Sequence, residues 1–323
     1  MMGACLLALL LSTLCTLVST WAHAVDLAAE LQPAQAALAA GDYETAFREY
    51  HRIAEEKHNP LAQFTVALFF QLGWGRPRDP VTACQWHEKA AAGKIPLAEH
   101  SLGDCLLRGV HRPPDPTQAA SWFARAAQNG YVLSLCSLGE LYVTGKGVPK
   151  NPAKGLALCR GAAEQGVVPA MTRMGQFFLQ GDAGQPDFDA AFSWFELAAR
   201  RKSPEAQYYL GRMLRDGLGR PQGPVIARYW FESAAAQGYI PAYFPTAVLY
   251  FNAPVDPETH KQPAEDVAKA YLWLSATAKR SQDPGELAET AQMLMRLREI
   301  IPDTWLSTLD EKVAKHLAEH AAP

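Results

Sequence analysis

The chain has 323 residues, 49% of them hydrophobic and 20% charged, with a formal net charge of −3. That is an ordinary soluble composition, long enough to bury a large core. Near-neutral charge supplies neither the basic face that binds nucleic acid nor the polybasic patch that binds anionic lipid, so neither partner is expected.

The first stretch differs from everything after it. Met1 to Ala24 contains no Asp, Glu, Lys or Arg, and Leu6 to Val18 is apolar apart from Ser12, Thr13 and Thr16. Ala22-His23-Ala24 fits the small-x-small cleavage pattern. The expectation is a secretory signal peptide over 1–24 and a mature chain in the periplasm or outside the cell, with no membrane insertion after cleavage. Met1-Met2-Gly3-Ala4 lacks the usual basic residue. An uncleaved membrane anchor is the alternative, against which the short apolar run argues. Leu14 before Cys15 makes a poor lipidation site.

Next come Asp26 to Ala39, a predicted helix ending near Gly41, and Asp42 to Glu56, a second. Residues 25–59 thus read as a cap with a degenerate hairpin. From Pro60 to Arg280 one unit repeats. Its clearest copy, Ser137 to Gly166, is a helical hairpin. Leu138, Gly139 and Tyr142 mark one face of a first helix, which Gly145 and Gly147 end. Pro149 and Pro152 suit the start of a second helix, which carries Ala162-Ala163 and stops at Gly166. The same rows recur every 36 residues. Gly103, Gly139, Gly175 and Gly211 form one row. Trp86, Trp122, Trp194 and Trp230 form another, with Leu158 in the vacant slot. Gly73, Gly109, Gly145, Gly181 and Gly217 form a third, and pairs such as Ala126-Ala127 and Ala234-Ala235 a fourth. Small residues let paired helices approach closely, and each Trp is expected to anchor its hairpin. Six units are predicted over 60–280, starting near Pro60, Pro96, Val132, Val168, Pro204 and Ile240. The last lacks the Gly-x-Gly turn and carries a seven-residue insertion around Pro254 to Pro263. Over 281–323, Glu286 to Ile300 and Thr304 to His320 are predicted as two capping helices parted by Pro302.

The stretches LGELYVTGKGVPKNPAKGLALCRGAAEQG, LGRMLRDGLG, ARYWFESAAAQGY and SWFARAAQNGY resemble Sel1-like repeats, relatives of the tetratricopeptide repeat. The resemblance covers about Gly41 to Arg280. Leu158, Gly155 and Gly161 depart from the family pattern. It implies an all-α, right-handed solenoid of antiparallel hairpins, in which each hairpin buries its apolar face on the next. It also implies a non-enzymatic scaffold or adaptor for a protein or peptide partner. Some cysteine-rich secreted relatives are associated with β-lactam binding or hydrolysis, which makes that activity the rival reading. A cell-envelope factor handling polysaccharide or peptidoglycan is a third.

No catalytic set is complete. No serine has a lysine three residues on; Ser275 and Lys279 are four apart. His316-Leu-Ala-Glu-His320 matches an inverted zinc-peptidase motif, but two histidines lack a third ligand, and a frayed, charged helix end accounts for them. His51 and His58 are assigned to the surface. Asp104 and Glu140 occupy equivalent repeat positions and read as a solvated face. Neither cofactor nor metal is expected.

Once the core face is assigned, Phe64, His100, Asp104, Glu140, Gln176, Tyr208, Arg212 and Phe244 point away from the second helices. In tetratricopeptide-like arrays the first helices line the concave side, so these residues are the candidate groove. Packing of Phe64, Tyr208 and Phe244 between first helices is the competing account.

Four cysteines follow Ala24. Cys84 and Cys105 lie evenly about the turn at Gly93 to Ile95, and Cys136 and Cys159 evenly about the Gly145 to Lys150 loop. Antiparallel helices bring such residues level, within reach of a disulfide. An exported chain would pair Cys84 with Cys105 and Cys136 with Cys159. Four buried thiols are the alternative.

Overall fold

A computed structural model describes residues 29–182 and 184–320. The predicted signal peptide lies outside the described residues. Among them there is no β-strand, and the helices fall into two compact units meeting in sequence at Asn151 and Pro152.

The first unit holds α1 (Gln32–Ala39), α2 (Tyr43–Glu56), α3 (Pro60–Leu72), α4 (Pro80–Ala92), α5 (Pro96–Arg108), α6 (Pro116–Gln128) and α7 (Leu133–Thr144). The second begins with α8 (Pro152–Glu164), α9 (Val168–Gln180), α10 (Phe188–Arg200), α11 (Pro204–Asp216) and α12 (Pro224–Ala236). After a 3-10 turn at Ile240–Ala242 come α13 (Tyr243–Phe251), α14 (Ala264–Arg280), α15 (Pro284–Ile300) and α16 (Asp303–Glu319). Within each unit every helix through α14 packs on its successor, and α16 packs on α14. The chain is thus all-α, built as stacked hairpins of the solenoid class.

Local chemistry sets each hairpin. α3, α5, α7, α9 and α11 all end at a left-handed glycine, Gly73, Gly109, Gly145, Gly181 and Gly217, with φ between 68° and 78°. Asp79, Asp115 and Asp187 then cap the following helix, each side chain accepting from a backbone N–H at 2.9–3.0 Å. The backbone N–H of the same aspartates bonds back to Phe70, Leu106 and Phe178 in the preceding helix, which closes the loop. The opposite turn uses a second left-handed row: His58, Lys94, Gly130, Gly166, Lys202 and Gly238, with φ from 53° to 99°.

The small-residue rows sit where helices meet. A Cβ at Gly103 would stand 2.6 Å from Phe123, at Gly175 2.6 Å from Phe195 and at Gly211 2.8 Å from Phe231. Those three phenylalanines are fully buried. The expectation that Trp is the anchor of each hairpin is therefore corrected. Trp122, Trp194 and Trp230 are only half-buried, and Trp86 alone of the row is buried. The Phe rings, not the indoles, fill the slots above the glycines. The Arg125 guanidinium lies 4.1 Å from the Trp122 ring centre, and Lys89 Nζ 3.7 Å from that of Trp86.

In the second unit, Tyr243, Tyr271, Trp273 and Leu274 form a core with Leu297, Ile301 and Leu309 from α15, α16 and the link between them. The end of α16 is packed, not frayed. His316 Nε2 lies 3.0 Å from Tyr243 Oη, and its ring meets Trp273 edge-on at 5.1 Å. Burial holds the His316 imidazole below the usual histidine range.

Cys84 on α4 and Cys105 on α5 are joined by a disulfide, with Cα atoms 5.9 Å apart. Cys136 and Cys159 are disulfide-bonded as well. Among the described residues no helix is long and apolar enough to cross a membrane.

Candidate binding surfaces

The eight groove candidates separate into residues that stitch repeats together and residues that line open cavities. His100 and Gln176 belong to the first group. His100, on α5, is buried; its Nδ1 lies 2.9 Å from Ser134 Oγ in the next repeat, and its ring packs against Phe123 and Tyr131. Burial lowers its pKa, and Asp104 Oδ2, 3.7 Å from Nε2, opposes that shift. Gln176, on α9, donates to Glu205 at 2.8 Å and accepts from Arg173. Such polar links recur between repeats at a spacing of thirty residues. Asn129 donates to the fully buried Glu99 at 2.8 Å, and Gln237 donates to Gln207 at 2.7 Å. Buried polar groups held in this way favour one register between neighbouring hairpins.

Phe64, on α3, is half-buried against the core beneath α4 and α5, its ring 5.6 Å from His87. Asp104 and Glu140 do come together. Both line a cavity of about 110 Å³ in the first unit, with Phe123, Ser137, Thr144 and Lys146. The Asp104 side chain keeps 45% of its surface accessible, yet it lies in a concavity that thins its hydration. Its carboxyl is raised above the ordinary range for that reason, and His100 and Arg108 work against the rise.

In the second unit, Tyr208 on α11 has rings on three sides: Tyr209, Phe231 and Tyr239, at 5.5–5.7 Å. The Arg212 guanidinium sits 5.8 Å from the Tyr208 ring and 5.7 Å from Tyr209. Tyr208 and Phe244 share the wall of a cavity of about 220 Å³ with Arg215, Val248, Glu286 and Glu289. Burial, then Glu205, raises the Tyr239 phenol, so it remains a neutral hydrogen-bonding group. Here, half-buried aromatic surface, a guanidinium and carboxylates converge. Glu286 and Glu289 escaped the sequence reading; both belong to a capping helix outside the repeat register, so no row marks them.

Ser275 and Lys279 line one cavity of about 680 Å³ with Tyr271, Arg298, Ser307 and Asp310. Tyr271 donates to Asp310 at 2.9 Å there.

Comparison with known proteins fits this architecture. The Sel1 repeat family model matches residues 60–94, 96–131, 132–167, 168–203 and 204–239. A Sel1 repeat protein from Oxalobacter formigenes, solved by crystallography, superimposes with a TM-score of 0.64 at 24% identity, covering 78% of this chain and 100% of that one. A protective antigen of uropathogenic Escherichia coli with an SLR fold gives a TM-score of 0.61 at 21% identity, over 85% of this chain and 56% of its own. At these identities the likeness is one of fold. An uncharacterized protein of Neisseria meningitidis serogroup B is 30% identical over 137 residues, which is 42% of this chain. The chain thus spans about a quarter, 25%, of that curated relative. The five repeat matches together cover more than half of the sequence, and the chain belongs to the Sel1 repeat family.

Proposed function

We propose that this protein is an exported, non-enzymatic scaffold that binds a protein or peptide partner through the surface around Tyr208 and Arg212. The observation that carries the reading is the Arg212 guanidinium 5.7–5.8 Å from the ring centres of Tyr209 and Tyr208, with Tyr208 on the wall of the cavity lined by Phe244 and Arg215. Tyrosine and arginine anchors dominate the energetics of protein interfaces because they bring large area and directional hydrogen bonds at little entropic cost. Membership of a repeat family that commonly serves as an interaction scaffold supports it. In this reading 25–59 is an N-terminal cap, 60–280 are six repeats and 281–323 close the array. The disulfide-bonded cysteines suit an oxidising compartment, in agreement with cleavage after Ala24 and a mature chain in the periplasm or outside the cell.

The test is capture of partners on purified mature protein, repeated with Tyr208→Ala/Arg212→Ala. A specific partner should lose about tenfold or more in affinity while helicity is unchanged. Equal capture by the double variant would place the binding surface elsewhere. Protein purified from its native host should begin at Val25; a retained Met1 to Ala24 would remove the export step. The rival β-lactam reading draws on the cavity that Ser275 and Lys279 share. Turnover of nitrocefin lost in Ser275→Ala would establish it in place of the scaffold.

A further inference from the structure

We propose that Cys84, Cys105 and His111 form a redox-gated zinc site, closed while the disulfide is intact and opened by its reduction. The two sulfurs and a ring nitrogen of His111 all lie within 4.8 Å of one another. Tetrahedral zinc with bonds of ~2.3 Å to sulfur holds two thiolates about 3.8 Å apart. Cleavage of the S–S bond lets the sulfurs separate to that distance, with the imidazole nitrogen already within 4.8 Å of both.

His111 is the independent sign of a ligand. It lies in the loop between α5 and α6, its side chain only 5% exposed, and neither ring nitrogen makes a hydrogen bond. A buried imidazole without a hydrogen bond forgoes the solvation of both nitrogens. Coordination would satisfy one of them. Glu88 Oε2, 3.4 Å from Nε2, gives the ring the carboxylate neighbour that commonly raises the basicity of metal-bound histidines. Cys84 and Cys105 also border a cavity of about 260 Å³ shared with His87, Asp104, Arg78 and Arg108, which provides a way in for reductant and metal. In the repeat register the equivalents of this histidine are Gly147 and Gly219, so the constellation belongs to one repeat and not to the array.

The chemistry balances. A dithiol reductant gives two electrons and two protons to the Cys84–Cys105 bond and is itself oxidised to a disulfide. The two thiols then release two protons as zinc binds, so a dication meets two thiolates and a neutral imidazole. Two thiolates and one histidine leave the fourth position of zinc to water. Sulfur serves either as disulfide or as ligand, so metal and S–S bond exclude each other.

The experiment uses the full mature chain carrying Cys136→Ser and Cys159→Ser, so that one pair alone changes state. It is assayed oxidised, and again after treatment with a phosphine reductant, which ends as the phosphine oxide, and anaerobic gel filtration. The reduced protein should retain one zinc per chain, and cobalt in its place should show thiolate charge-transfer bands; the oxidised protein should retain none. His111→Ala and His111→Gln should each weaken zinc by roughly tenfold or more, since loss of even an outer-shell partner has that effect. Zinc uptake equal in both redox states would overturn the proposal. So would His111 variants, folded by circular dichroism or not, that match the parent in affinity.

Discussion

Gly103 and Phe123 are mutually exclusive in size: a Cβ on Gly103 would lie 2.6 Å from Phe123 Cε1, closer than side chains approach. Phe123 is fully buried, so its ring has no open space to move into. Gly103→Ala should therefore destabilise by about 1–3 kcal/mol in urea unfolding. Adding Phe123→Leu should return part of that loss, because the two sites share one slot. Additive effects in the double variant would mean that the glycine is set by something other than the ring.

Most of this architecture was legible in the sequence because a repeat multiplies weak signals. A single Gly-x-Gly says little; five glycines ending five successive first helices define where hairpins turn. The predicted starts at Pro60, Pro96, Val168 and Pro204 are the first residues of α3, α5, α9 and α11. What escaped was what side-chain size decides. Trp and Phe are adjacent in α6, α10 and α12, and the sequence does not say which enters the slot above glycine. The groove candidates escaped for a related reason. A position on the outer face of a first helix can meet solvent, as Glu140 does, or the next repeat, as His100 does, and the repeat pattern alone does not separate the two.

The capping row shows a signal that was present and overlooked. Asp79, Asp115 and Asp187 follow the 36-residue period, with Asn151 and Gly223 in the slots between and after them. Asp115 accepts from the Gln118 backbone N–H at 2.9 Å and from its side chain at 2.7 Å. Asp115→Ala should cost about 1 kcal/mol, read as a fall in urea midpoint at unchanged slope. Asp115→Asn should retain most of it. Equal losses in the two variants would show that the carboxylate charge, and not the cap, is the source.

Lys94 and Lys202 occupy the left-handed positions that Gly130, Gly166 and Gly238 fill elsewhere, at φ of 61° and 64°. A side chain in that conformation is strained by ~1–2 kcal/mol, and glycine returns up to about 1 kcal/mol of this in the greater freedom of the unfolded chain. Lys94→Gly and Lys202→Gly should each stabilise by about 0.5–1 kcal/mol, with additive effects, since the residues lie in different repeats. A loss of stability in both would show that the lysine side chains make contacts that outweigh the strain.

His87 predicts the acid response of the first unit. It takes the place in its repeat that Phe123, Phe195 and Phe231 take in theirs, and it is 2% exposed. Nε2 lies 2.9 Å from Gln71 Oε1, while Nδ1 has no hydrogen-bond partner. Burial lowers its pKa from 6.5 to about 4. The unfolded chain therefore takes up a proton at this residue before the folded one does. Stability from keeping His87 neutral is complete above the unfolded value and is lost as the pH falls from about 6.5 towards 4; below that both states are protonated and nothing more is lost. The gap corresponds to roughly 3 kcal/mol. His87→Gln has no proton to gain in this window and retains an amide near Gln71. Unfolding of both proteins by urea at pH 7 and at pH 4.5 separates His87 from every other titrating group, including His100, whose pKa is also lowered by burial. The parent should lose about 2–3 kcal/mol more than His87→Gln between the two pH values. Parallel losses in parent and variant would show that His87 is solvated or protonated in the folded protein.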